Sequence, residues 1–239
     1  MPAPDRPPAT AIIVGAGRGT RFGAADKVLA PLGGRPVIAH ALDAAEAAEL
    51  VTTIVVVAGE HLLDTVAELT ASGAWPKVVA TVPGGRRRQD SVAAGLAAVP
   101  PGTPLVAVHD AARPLASPAL FDACLIAADR CGAAIAALPV ADTLKRVEEG
   151  RILQTVSREG LWAAQTPQAF RLDLLRRAFA LAVERGLEVT DEASLLEALG
   201  TVVTVVPGSL ANLKITRPED LEIAEALLAS RRSAHGVMG

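Results

Sequence analysis

The sequence predicts an α/β fold: a mostly parallel, twisted sheet flanked by helices, in a single domain over residues 1–239. Three observations carry this reading. Short β-branched runs alternate with helical patterns along the chain, the order expected of a parallel sheet covered on both faces. A glycine-rich stretch, VGAGRGTRFG at 14–23, directly follows the first apolar run. The 239 residues, 51% of them hydrophobic, suffice for one full core, and nothing suggests a second.

In chain order, strands are expected at AIIV (11–14), TTIVVVA (52–58), KVVATV (77–82), PLVAVH (104–109), AAIAALPV (133–140) and TVVTVV (201–206). Helices fall between them, over 36–48, 61–72, 88–98, 117–130, 171–185, 191–199 and 218–231. Two helix starts carry explicit signals: Ser117 precedes Pro118 at a first helical position, and Thr216 with Glu219 fits a capping box. Between Ala141 and Gln168 the alternation breaks. There TLKRV and RILQTV flank EEG as two short strands around a turn, a polar hairpin arm over about 141–160 that projects from the domain and suits subunit exchange or a lid. The tail, about 232–239, is expected to be disordered.

Composition excludes several classes. The longest apolar stretches run to about eight residues, short of the roughly 20 that cross a bilayer. The start, MPAPDRPPAT, lacks the charged-then-apolar order of a signal peptide, so a soluble, cytoplasmic protein without membrane partners is expected. A formal net charge of −3, with no Tyr, four Phe and two Trp, argues against a nucleic-acid partner and makes any polyanion site local. Cys124 and Cys131, with no CxxC pattern and no histidine cluster, read as core residues rather than a redox or metal centre.

A glycine-rich turn after a first strand commonly receives phosphates, because backbone without side chains lets N–H groups approach the oxygens. The dinucleotide fingerprint G-x-G-x-x-G fails here. Gly15 and Gly17 match, but Thr20 holds the third glycine's place and the segment runs on irregularly to Pro36 instead of opening a helix. No Gly-Lys-Ser/Thr follows, so the Walker pattern fails as well. What remains is a long loop that carries Arg21 and Lys27 past a strand end. Two fixed cations over backbone donors suit a triphosphate.

Seven motifs stand in order: GAGRGTRFG with Lys27, GGRRRQDSV (84–92), HDAARP (109–114), DTLKR (142–146), REGLWAAQTPQ (158–168), TDEAS (190–194) and NLKITRPEDL (212–221). Together they resemble one family from Ala11 to about Leu228, the 2-C-methyl-D-erythritol 4-phosphate cytidylyltransferases, which are nucleotidyltransferases with a three-layer Rossmann-like fold. The resemblance implies transfer of a cytidylyl group from CTP to that polyol phosphate, with loss of pyrophosphate, on the non-mevalonate isoprenoid route. It also implies a divalent cation, Mg²⁺, and a homodimer that exchanges the arm. In such a reaction two anions meet while charge moves onto the leaving group, so positioning and electrostatic stabilisation supply most of the catalysis.

Residue by residue, the resemblance implies catalytic roles for Arg21, Lys27 and Lys214. It implies CTP contacts from Gly15, Ala16, Gly17, Gly19, Gly84, Gly85, Ser91 and Asp110. Contacts to the polyol phosphate fall to Asp110, Arg113, Thr143, Arg158, Thr166 and Thr190, and Asp110 is also the metal-ligand candidate. Thr190 doubles as a candidate cap for the helix at Asp191, Arg88 reads as a support pinned by an acidic or backbone partner, and Arg86 and Arg87 read as a solvated helix start. His109 is expected to pack beneath its loop. The chain departs from the family pattern at Asp26 and Val28, where proline and glutamine flank the lysine, and at Gly15, where alanine is usual. A cytidylyltransferase for another polyol phosphate, such as ribitol 5-phosphate, shares almost every motif, and a nucleotide-binding regulator without catalysis is the alternative of another class.

Overall fold

Runs of valine and isoleucine set the middle of the sheet: nearly every side chain of the strands 9–15, 51–58 and 105–110 is buried. The computed structural model describes residues 7–17, 22 and 26–236. Its strands are β1 (Ala9–Gly15), β2 (Pro31–Leu32), β3 (Arg35–Pro36), β4 (Val51–Ala58), β5 (Val78–Pro83), β6 (Leu105–Asp110), β7 (Ala133–Pro139), β8 (Leu144–Glu148), β9 (Arg151–Val156), β10 (Trp162–Arg171) and β11 (Thr204–Pro207). Its helices are α1 (Val37–Ala47), α2 (Leu63–Thr70), α3 (Arg88–Ala97), α4 (Pro118–Cys131), α5 (Leu172–Arg185), α6 (Glu192–Ala198) and α7 (Glu219–Gly236).

Seven strands form the main sheet in the order β11-β7-β10-β6-β1-β4-β5. Neighbours are parallel, except that β10 runs antiparallel to both β6 and β7. Adjacent residues of one strand serve opposite layers, as the pleat requires. Ile13 and Val56 pack with Ile38 and Leu42 of α1 and Phe121 and Leu125 of α4. Ile12 and Val57 pack with Val92 and Leu96 of α3, Leu175 of α5 and Leu195 of α6. The result is the three-layer, mostly parallel architecture expected. A smaller cluster of Leu32, Val37, Leu115, Ile215 and Ala224 seats α7.

Several expectations are corrected. β10 falls in a segment read as lacking any element beyond the arm; its core, Gln165-Thr166-Pro167-Gln168, carries the polarity and proline of a loop yet is buried. β11 begins at Thr204 rather than 201. The irregular stretch before α1 holds a two-strand ribbon, β2–β3. Ser117 caps α4 as expected, accepting from Leu120 N–H, but the cap of α7 is not the Thr216–Glu219 pair. Asp220 reaches back instead, accepting from the Thr216 and Arg217 N–H groups and the Thr216 hydroxyl. α7 runs to Gly236, so the backbone of 232–236, expected to be disordered, is helical. Of the two cysteines only Cys124 is in the core, where burial pushes its thiol up to about 12; Cys131 is exposed at the end of α4.

The arm is present as β8 and β9, which pair only with each other. Glu149 and Gly150 at its tip both have positive φ, 48° and 77°, the backbone of a tight two-residue hairpin turn.

Candidate active site

The sequence order β5-β4-β1-β6 in space reverses direction between β1 and β6, and open α/β sheets hold their ligands beyond the strand ends at such a point. Val14 of β1 pairs with Asp110 of β6 there. A cavity of about 630 Å³ opens at this place, lined by Gly15, Ala16 and Gly17 after β1, Gly59 to His61 after β4, Gly84 to Arg88 after β5, Asp110, and Lys214 from the loop after β11. Lys27 and Ser91 also line it. Its volume lies within the range of ordinary ligand sites, and Lys27, Arg86, Arg87, Arg88 and Lys214 set against Glu60 and Asp110 make it a receptor for anions.

Close approach explains the glycines before α3. A Cβ on Gly84 would stand 2.2 Å from the Ala16 Cβ, and one on Gly85 2.3 Å from the Asp90 Cβ. Only glycine lets the turn lie against the β1 loop. Ser91 braces the same turn, accepting from Gly85 N–H and donating to the Arg87 carbonyl. The start of α3 thus lines the cavity through Arg88 and Ser91, which places the positive end of its dipole at the cavity wall.

Asp110 is the centre of the charge arrangement. Its Oδ2 meets Lys214 Nζ at 2.6 Å and its Oδ1 meets Arg88 Nε at 3.1 Å. Burial would raise the carboxyl, but Arg88 and Lys214 outweigh burial and hold it well below the usual carboxylate range. Arg88 has the acidic partners expected of it, since Nη1 also donates to both oxygens of Glu192 at 2.6 and 2.9 Å. Glu192 is 1% exposed, and burial pushes its carboxyl up against the pull of Arg88. Arg87 is exposed, as expected, yet paired with Asp90 and Glu188.

Behind Asp110 runs a directed chain of hydrogen bonds. The Asp110 N–H donates to Thr166 Oγ1 at 3.0 Å, the Thr166 hydroxyl lies 3.0 Å from His109 Nδ1, and His109 Nε2 lies 3.1 Å from the Arg113 carbonyl. A carbonyl can only accept, so Nε2 bears the proton and Nδ1 accepts from Thr166. His109 packs beneath the loop as expected. Lys214 sits between two anchors. Ile215 N–H donates to the Ala112 carbonyl, while buried Asn212 donates to Gln165 Oε1 and the Thr166 carbonyl. Arg113 donates to the Asn212 carbonyl at 2.7 Å.

Of the residues expected from sequence, Gly15, Ala16, Gly17, Lys27, Gly84, Gly85, Ser91, Asp110 and Lys214 come together in one cavity. Arg21 and Gly19 lie outside the described residues. Thr166 and Arg113 stand behind Asp110, not on the cavity wall, and the Thr166 hydroxyl is already engaged. Thr143, Arg158 and Thr190 are exposed and line no part of the cavity; Arg158 donates from Nη1 to the Ala141 carbonyl at the root of the arm. Thr190 is not the cap of α6, because Asp191 accepts from Ser194 N–H in that role. Glu192, Gln165 and Asn212 escaped notice although each lies inside a recognised motif. At the altered flank, Asp26 accepts from His61 Nε2 at 2.9 Å and Val28 is buried.

Among the described residues no group of three or more His, Cys, Asp or Glu side chains could hold a metal. A cation bound mainly by substrate phosphates needs fewer, and each Asp110 oxygen has a lone pair beyond those spent on Arg88 and Lys214. The single carboxylate fits that mode.

A cationic cavity over glycine turns at the switch point of such a sheet is the arrangement of a nucleotidyltransferase with a Rossmann-like fold, the class to which the similar proteins belong. Within that class the chain belongs to the 2-C-methyl-D-erythritol 4-phosphate cytidylyltransferase family, whose family model matches residues 9–230. A protein of that name from Pelotomaculum thermopropionicum is 46% identical over 226 residues, 93% of this chain and 94% of the relative. One from Parasynechococcus marenigrum is 48% identical over 223 residues, 92% and 98% of the two chains. Among solved structures, the 4-diphosphocytidyl-2C-methyl-D-erythritol synthase of Anaerococcus prevotii superposes with a TM-score of 0.81 at 30% identity, covering 93% of this chain and 99% of its own. The cytidylyltransferase of Thermus thermophilus does so at 0.75 and 36% identity, covering 91% and 98%.

Proposed function

We propose that the chain transfers the cytidylyl group of CTP to 2-C-methyl-D-erythritol 4-phosphate, giving 4-diphosphocytidyl-2-C-methyl-D-erythritol and pyrophosphate. The observation that carries it is the pairing of Lys214 with Asp110 at 2.6 Å in a glycine-lined cavity that Lys27 also enters. An oxygen of the polyol phosphate attacks the α-phosphorus; that P–O bond forms as the bond to the bridging α,β oxygen breaks, and the pyrophosphate leaves with the charge. Lys27 and Lys214 stabilise the phosphates as charge shifts among them, and the Gly84–Gly85 turn, whose N–H groups are spent on the Ala58 carbonyl and Ser91 Oγ, presents carbonyl oxygens to the cytosine amine. Arg21 belongs with Lys27 on this reading. Asp110 holds Lys214 in place and is the residue that would hold a divalent cation, Mg²⁺, which neutralises triphosphate charge when bound.

The acceptor side is completed by a second subunit. The arm exposes Val147, Ile152 and Leu153, with Leu161 and Trp162 at its root, and a lone two-stranded hairpin gains its stability by packing against something else. In a homodimer with exchanged arms, Thr143 and Arg158 of one chain reach the cavity of the other. Among the described residues no helix is long and apolar enough to cross a membrane.

Pyrophosphate release with CTP, Mg²⁺ and 2-C-methyl-D-erythritol 4-phosphate tests the reading. Lys27→Ala is expected to lower kcat by about 10²-fold with the fold intact, since one preorganised charge contact is worth roughly 3 kcal/mol in the transition state. Turnover with ribitol 5-phosphate and none with the methylerythritol phosphate would overturn the acceptor, and comparable kcat/KM with UTP would overturn the cytosine assignment.

A further inference from the structure

Four charges alternate in a line: Glu192, Arg88, Asp110 and Lys214. Only the last three touch the cavity. Glu192 belongs to the first turn of α6, 104 residues from Arg88 in sequence, and a carboxylate 1% exposed is costly unless its partner repays it. The partner is divided. Arg88 gives Nη1 to both Glu192 oxygens and a single Nε contact to Asp110 Oδ1, which leaves Asp110 Oδ2 as the oxygen that Lys214 meets at 2.6 Å, with Arg113 Nε farther off at 4.0 Å. A guanidinium matches a carboxylate with two parallel donors. Freed of Glu192, Arg88 would swing both donors onto Asp110 and compete with Lys214 for it.

We propose that Glu192 is a positioning residue for cytidylyl transfer: it restrains Arg88 so that Asp110 keeps one oxygen for Lys214. Glu192 touches neither substrate. Its influence reaches the phosphates through three intervening side chains, Arg88, Asp110 and Lys214, and it ties α6, next to Thr190, to the nucleotide side of the site. A purely architectural role, joining α6 to α3, would lower stability without singling out Lys214.

Glu192→Gln keeps the shape and removes the charge. Pyrophosphate release is measured over a range of CTP concentrations at saturating polyol phosphate for Glu192→Gln, for Lys214→Ala and for the double variant, with Tm alongside. Glu192→Gln is expected to lower kcat by up to about 10²-fold, the cost of misplacing a reacting-site group by about 1 Å, with KM for CTP changed by less than about threefold. In the Lys214→Ala background the same substitution is expected to cost nothing further, because the group it positions is gone. The inference rests on the reading of Lys214 as a phosphate contact, and the two fail differently. Full activity in Lys214→Ala overturns that reading. An impaired Lys214→Ala with a fully active Glu192→Gln, or losses that multiply in the double variant, overturns the positioning role. Should Glu192→Gln not fold, Glu192→Asp and Arg88→Lys are compared in the same two backgrounds, with the same outcomes deciding.

Discussion

Lowering the pH from 7 to 4.5 is expected to cost the folded protein about 2.5 kcal/mol through a single side chain, His109. The imidazole is fully buried, with its ring centroid 4.9 Å from that of Phe121. Burial lowers its pKa from 6.5 to about 4, against the opposing pull of Asp110. Both ring nitrogens are spent in the neutral form, Nε2 on the Arg113 carbonyl and Nδ1 on the Thr166 hydroxyl. The unfolded chain takes up a proton near pH 6.5, whereas the folded one resists until about 4. The stability owed to this group is therefore complete above 6.5 and is lost as the pH falls through that window, by about 1.4 kcal/mol per unit. Asp110 acts lower down: its carboxyl lies below the ordinary value of 3.8, so its contribution is present above that pH and lost only beneath it. Urea unfolding at pH 7 and 4.5 measures the effect in the native chain and in His109→Gln, whose amide can donate to the same carbonyl and accept from Thr166 without titrating. The native chain should lose about 2.5 kcal/mol more than the variant between the two pH values. Equal losses would refute the argument.

Two further outcomes follow from the geometry. Gly84→Ala sets the new Cβ 2.2 Å from the Ala16 Cβ and 2.8 Å from Ser91 Oγ, so the turn must move away from both; KM for CTP is expected to rise about tenfold or more, the equivalent of one lost contact of about 1.4 kcal/mol, and an unchanged KM would show that the turn does not bind the nucleotide. Lys27→Ala and Arg158→Ala, each inactive alone, should complement when mixed, restoring about a quarter of the sites if subunits assort at random. Tagged heterodimers without recovered turnover would place Arg158 outside the partner's site.

The regular elements were legible because burial on both faces leaves uninterrupted apolar runs, as in Ile12 to Val14 and Ile54 to Val57, and because helix starts such as Ser117-Pro118 carry their own chemistry. β10 was not. Its ladder with β7 breaks between Ala164 and Gln168, and the side chains in and beside that break hydrogen-bond to the site loops instead of filling a core, so neither period nor hydrophobicity marks the strand. The cavity's lysines and Asp110 could be read as charges just past strand ends. Glu192, Gln165 and Asn212 could not, since their partners lie 44 to 104 residues away in sequence and only the folded chain brings them together.

β10 is a single span with two duties. At one end Trp162 emerges from the arm. Three to six residues on, Gln165 holds the loop that carries Lys214, Thr166 takes the Asp110 amide, and Gln168 bonds Asp191 and Ala193 at the start of α6. At about 3.3 Å per residue the first of these fastenings lies only about 10 Å from the arm's root. Any force applied to the arm is thus carried by the same strand that aligns the reacting groups, much as a load on a cantilever is felt first at its mounting.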